Sequence, residues 1–118
     1  MSNTFTNKVA LSMMHPLVYK KVLKMLAVLI KRTLASEMEA TYEEFSRKII
    51  QAAIPAQGFI SSKAFKDLKD TKRRYTLIQM ECLADWKAWY QSDERHAALT
   101  QIQPLLKEPE HISILTTA

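Results

Sequence analysis

Between residues 25 and 34 the chain reads MLAVLIKRTL, a short run rich in Val, Ile and Leu. Length and composition predict a strand there. Alternation sends Leu26, Val28 and Ile30 to one face and Ala27 and Leu29 to the other. Ser36 followed by Glu39 has the spacing of a capping box, in which the serine oxygen takes a free helix amide and the glutamate reaches back. The helix so opened is expected to run to about Ala53, because Met38, Tyr42, Phe45 and Ile49 recur at steps of four, three and four and share a face. Glu39, Glu43, Glu44, Arg47 and Lys48 fall outside that stripe and are expected in solvent. Ile54-Pro55 stops the helix. Gly58 opens a second strand, GFISSKAFKDL; Lys69-Asp70-Thr71-Lys72 is a polar turn; RRYTLIQMEC, from Arg73 to Cys82, is a third strand. Residues 58 to 82 therefore read as a hairpin. A second helix is expected from near Asp85 to about Gln103, interrupted, if anywhere, at Ser92. Pro104 and Pro109 bracket a connector, and HISILTT closes the chain as a fourth strand.

The order is β-α-β-β-α-β, the ferredoxin-like α+β arrangement: a four-stranded antiparallel sheet with both helices on one face. The third strand is apolar on both sides, with Tyr75 and Leu77 opposing Ile78 and Met80. Two helices cover only one of those sides. The other needs a cover, and a second copy's sheet is the economical one, giving a homodimer through sheet faces.

The domain so defined spans residues 25–118, and residues 1–24 read as an extension. His15-Pro16 argues against one continuous helix there, and no small-x-small cleavage site of the secretory kind follows. The extension is expected to pack on the domain or on a partner subunit, or to stay free; Met14 and Met25 each offer another start. It also changes the reading of the charge. The net charge is +5, but residues 1 to 36 hold six basic residues and no acid, and the rest hold eleven basic and twelve acidic. The body is near neutral. A nucleic-acid-binding domain would carry a basic face within its fold, so no nucleic-acid partner is expected. No apolar run reaches the roughly 18 residues of a membrane span. The single glycine argues against glycine-built phosphate or dinucleotide loops. The single cysteine, Cys82, cannot form an intrachain disulfide, and no Cys/His pair has zinc spacing, so a reducing, cytoplasmic setting without a metal is expected. No base neighbours Cys82 in sequence, and a buried inert thiol is expected.

The element order, the hairpin GFISSKAFKDLKDTKRRYTLIQMEC and the segment DWKAWYQSDERHAALTQIQPLL together resemble the antibiotic biosynthesis monooxygenase family of small dimeric α+β barrels. The most specific feature is W-x-x-S, from Trp89 to Ser92. The resemblance covers residues 25 to 118. It implies a dimeric barrel and a family that holds cofactor-independent oxygenases of polycyclic phenols, haem-degrading oxygenases, an isomerase of a signalling sugar phosphate and members without assigned activity. The fold does not fix the reaction. The haem branch resembles itself in a first-strand asparagine and in a histidine ten residues after the helix tryptophan. Here Leu99 lies ten after Trp89, and Lys31 or Arg32 holds the strand position. His96 lies ten after Trp86, but that register discards W-x-x-S. Haem degradation is disfavoured.

On one helix Trp89 and His96 are seven apart and share a face, and Trp86 and Tyr90 share one nearby. Indoles and a phenol suit a flat aromatic ligand, and they equally suit a core. His96 has the chemistry of a general base near neutral pH. Arg74 and Tyr75 could hold or polarise a substrate oxygen, and Lys72, Arg73 and Arg74 could equally form a solvated strand end. The function implied by the resemblance is a monooxygenase that uses no cofactor and acts on a small aromatic molecule of the phenol or quinone type. Its pocket is expected between the sheet and the second helix, shaped by Trp89, with His96 as base and Arg74 and Tyr75 as polar contacts. The alternatives are a non-catalytic binding or sensing protein, and an oxygen-independent isomerase or decarboxylase.

Overall fold

The computed structural model describes residues 26–118. The extension expected over residues 1–24, and Met25, lie outside the described residues. Strand β1 is Leu26–Thr33, helix α1 Glu39–Ala53, β2 Phe59–Lys66, β3 Arg73–Met80, α2 Leu83–Tyr90, α3 Asp93–Ile102 and β4 His111–Leu115, with a single 3-10 turn, Gln103–Leu105, after α3. The strands form one sheet in the order β2-β3-β1-β4, and every neighbouring pair is antiparallel. This is the ferredoxin-like arrangement, with the second helix in two pieces.

Strand alternation decides which side chains meet the helices. In β3, Arg74, Thr76, Ile78 and Met80 are buried while the residues between them are half-exposed. In β1 the buried set is Val28, Ile30 and Arg32. Against these pack Tyr42, Ile49 and Ala53 of α1, Trp86 and Trp89 of α2, and Leu99 and Ile102 of α3. Both tryptophans are core residues, 2% and 6% exposed. Each indole removes a large apolar area from water, which is the main term holding α2 to the sheet.

Several expectations are corrected. Ser36 and Glu39 form no capping box. Glu37 adopts a left-handed φ of 66°, which delays the helix, and the N-cap falls on Met38 without a side-chain hydrogen bond. Ser36 Oγ instead accepts from Lys72 Nζ at 3.3 Å. The second helix breaks after Tyr90, because Ser92 is extended (φ −70°, ψ 151°) and its Oγ caps α3 by accepting from Arg95 N at 3.2 Å. The seven-residue spacing of Trp89 and His96 therefore does not put them on one helical face. Cys82 is exposed, not buried, and its Sγ donates to Asp85 Oδ2 at 3.3 Å. The half of the sheet away from the helices is apolar in patches, with Leu29 and Leu77 half-buried and Phe65 exposed.

The turns are built from local chemistry. Gly58 has φ +81°, and a Cβ there would lie 2.1 Å from Asp85 Oδ2, so only glycine fits. In the hairpin turn, Asp67 Oδ1 accepts from Lys69 N at 2.7 Å and Asp70 N at 3.0 Å. The Lys69 amide first, then the Asp70 amide and the Arg73 charge, hold the Asp67 carboxyl below its ordinary range. Its stabilising contribution is present above its unfolded pKa and is lost as pH falls through the lowered folded value.

The interior also holds charge. Glu110, just before β4, accepts from Arg32 Nε and Nη2, each at 3.0 Å, and from Arg95 Nη2. The two arginine side chains are 3% and 2% exposed. One carboxylate thus ties β1, α3 and the start of β4. Replacing Glu110 by alanine leaves two buried cations without their acceptor and is expected to cost about 3–5 kcal/mol, as a fall in the urea midpoint at unchanged slope.

Candidate functional site

An open groove of about 320 Å³ lies between the first half of α1 and the edge strand β2. It exists because β2 lies at the sheet edge and α1 stops short of covering it: Ala64 and Lys66 remain exposed. The register pairs Ala64 with Thr76 and Lys66 with Arg74, so these four share the helix-facing side. From α1, Tyr42 and Ser46, four apart, face the sheet, while Glu43 and Arg47 form the adjoining row.

Arg74 is the buried cation of the groove, 7% exposed. Its Nε donates to Thr71 O at 2.6 Å and its Nη1 to Glu43 Oε2 at 3.0 Å. Its guanidinium sits 5.8 Å from the centre of the Tyr42 ring. The Tyr42 hydroxyl accepts from Arg32 Nη1 at 3.2 Å. A continuous polar path therefore runs from Glu110 through Arg32 and Tyr42 to the groove. Among the described residues no protein group accepts from Arg74 Nη2. The tyrosine proton likewise has no protein acceptor there. Two donors are thus available to a ligand oxygen.

The four site residues expected from sequence lie in different places. Arg74 and Tyr75 both border the groove. They are consecutive on a strand, however, and Tyr75 is paired with Lys31 and Phe65 on the side away from the helices. Alternation therefore turns its phenol away from the Arg74 guanidinium. Trp89 borders a second cavity, of about 290 Å³, with Pro55, Ala56, Asp85 and Glu94 between the end of α1 and the α2–α3 junction. His96 is exposed on α3, with Nδ1 2.9 Å from Ser92 O, and lines neither cavity. Between the sheet and the tryptophan helix, where the pocket was expected, an open depression of about 460 Å³ lies between Trp86 and Tyr90 of α2 and Ile112 and Ile114 of β4, whereas the space under Trp89 itself is only about 10 Å³, because Trp89, Arg95 and Ile49 close on it. That is at most one water.

Sequence reasoning passed over Tyr42, Ser46 and Thr76 as site residues. A signal for Thr76 was available: it lies between Arg74 and Ile78 on the same strand face. Ser46 carried one too, standing four after Tyr42 on the buried row. Nothing local in sequence pointed to Glu110 as the partner of Arg32.

No protein-family model matches the chain, and no curated protein matches it. Solved structures do. A conserved protein from Methanosarcina mazei Go1 superposes with a TM-score of 0.79 at 14% identity, over 85% of this chain and 99% of that one. SnoaB from Streptomyces nogalater, a cofactor-independent oxygenase, gives 0.74 at 8% identity, over 80% and 94%. A structure described as an antibiotic biosynthesis monooxygenase gives 0.72 at 11%, over 79% and 98%. The fold is that of the antibiotic biosynthesis monooxygenases. At these identities the likeness is one of fold. No helix among the described residues is long and apolar enough to cross a membrane.

The position of Tyr42 gives a direct check on this geometry. Removing its hydroxyl in Tyr42→Phe leaves Arg32 Nη1 without its acceptor. The expected loss is about 1–3 kcal/mol of stability by chemical denaturation, with the fold retained by circular dichroism.

Proposed function

We propose that the chain is a monooxygenase of the cofactor-independent kind, acting on a small aromatic molecule of the phenol or quinone type. The observation that carries this is the free edge of Arg74 in a groove walled by Tyr42. A buried guanidinium favours the ionised form of an acidic phenol over the neutral one. Such an anion is electron-rich enough to hand an electron to O₂ without a metal. Oxidation of a ring methylene then balances as CH₂ + O₂ → C=O + H₂O, with all electrons drawn from the substrate. The shared fold with SnoaB, described as a cofactor-independent oxygenase, adds support at the level of scaffold.

In this reading Arg74 holds the substrate oxygen and Tyr75 borders the site. Trp89 shapes the separate cavity at the far end of α1 and does not border this groove, and His96 removes the proton. The base role is the part most exposed to test, because His96 stands outside the groove. Oxygen uptake by the full-length protein with a panel of acidic polycyclic phenols is the measurement. We expect one-for-one consumption of O₂ and phenol, with Arg74→Gln slower by about tenfold or more. If His96→Ala turns over at the parent rate, the base lies elsewhere.

The exposed position of His96 also favours a second reading, a binding or sensing protein on the same scaffold. A ligand that is held and released unaltered, with no oxygen consumed, selects it. Turnover that proceeds equally under nitrogen would select an isomerase or decarboxylase.

The working unit in this proposal is a homodimer through sheet faces, in a cytoplasmic setting where the exposed Cys82 thiol stays reduced. Leu29, Leu77 and Phe65 would be covered by the partner. Leu77→Lys is expected to shift the protein from dimer to monomer in sedimentation velocity. An unchanged dimer would place the interface elsewhere.

A further inference from the structure

We infer that the groove between α1 and β2 grips its ligand through a permanent oxyanion, a carboxylate or phosphate monoester carried on an apolar body. This rests on the groove being the ligand site, as proposed above, and adds the charge class of what it takes. A phenol need not carry such a group, so the inference narrows the substrate.

The first argument is charge. Arg47, Lys66 and Arg74 border the groove, against the single carboxylate of Glu43. Glu43 binds one nitrogen of Arg74, at 3.0 Å, and its side chain is 47% exposed. Neither Arg47 nor Lys66 has an ion-pair or hydrogen-bond partner among the described residues. The stretch that precedes β1 offers no remedy, since residues 1 to 36 contain no Asp or Glu. Among the described residues Arg47 and Lys66 therefore stand without a counter-ion.

The second argument is unspent hydrogen-bonding capacity along the wall of the groove. Ser46 and Thr76, 9% and 3% exposed, border the groove, and neither hydroxyl has a protein partner. Arg74 Nη2 and the Tyr42 proton are in the same condition. Among the described residues the one fully buried side-chain polar atom without a partner is Arg73 Nε, so these four groups open onto the groove and stand ready for an acceptor that enters it. An oxyanion is acceptor-only, with several lone pairs, and matches this donor set; a neutral ketone or amide offers too few acceptors and no charge. The second cavity, bordered by Asp85 and Glu94, has the opposite sign and would repel the same ligand.

The test is NMR titration of the full-length protein with benzoate, phenyl phosphate and, as the neutral match, benzamide. Benzoate or phenyl phosphate is expected to shift amides of residues 42–47, 64–66 and 74–76, with benzamide weaker by about tenfold. Arg47→Gln and Lys66→Gln, both at exposed positions and harmless to the core, are each expected to weaken the oxyanion by about two- to fivefold, and more at low salt. The tighter of the two anions names the oxyanion class. If benzamide binds the groove as well as benzoate, or the two variants leave affinity unchanged, the oxyanion inference falls while the groove remains a ligand site. If no probe shifts groove amides, both fall. If the anions bind but no phenol consumes oxygen, the inference stands and the oxygenase reading does not.

Discussion

The structure depends on one carboxylate meeting two buried guanidiniums. Glu110 receives Arg32 from β1 and Arg95 from α3 in the interior. Desolvating these ions is costly, and only their close mutual contact and hydrogen bonds offset it. Hydrophobic contacts, with the Arg74–Glu43 and Arg32–Tyr42 pairs, hold the sheet to α1 and α2, but they do not specify where the last strand begins. The Glu110 contact does, because a strand slipped by one residue would turn the carboxylate to the wrong face. It also fixes the Arg95 guanidinium 4.6 Å from the Tyr90 ring centre, linking α3 back to α2.

That interaction reaches the groove through Arg32. Its Nε and Nη2 hold Glu110 while its Nη1 holds the Tyr42 hydroxyl, so the tyrosine ring is fixed in position. Arg74 also lies against the ring of the same tyrosine and is anchored by Thr71 and Glu43. The site is thus built on strands and a helix, and its cation is oriented before any ligand arrives. Preorganised groups of this kind contribute most where water is partly excluded, which the 7% exposure of Arg74 satisfies.

Much of this was legible in the chain. The strand and helix order followed from apolar period, and the break at Ser92 was the one place where a second-helix interruption was expected. The two-sided apolarity of β1 and β3 was readable from alternation alone. The capping box failed because its spacing is satisfied by many sequences, and the left-handed Glu37 belongs to a loop conformation that no periodicity reveals. The tryptophan helix was legible only in part. A W-x-x-S helix is compatible with both a lined cavity and a filled core, and Trp89 does both, packing near Ile49 and Arg95 while bordering the cavity beside Pro55 and Asp85. Arg32, Arg74 and Arg95 each stood on a core face by period. Their partners, scattered at Glu43, Thr71 and Glu110, were not readable because nothing local in sequence joins them.

The central claim is that the ligand sits between α1 and β2 and not beside the tryptophans. A crystal structure of the full-length protein with a bound organic acid tests it most directly. The account places an anionic oxygen within hydrogen-bond distance of Arg74 Nη2, with the apolar body along the groove. A ligand seated in the cavity of Trp89, Asp85 and Glu94, with the α1–β2 groove holding only solvent, would contradict it.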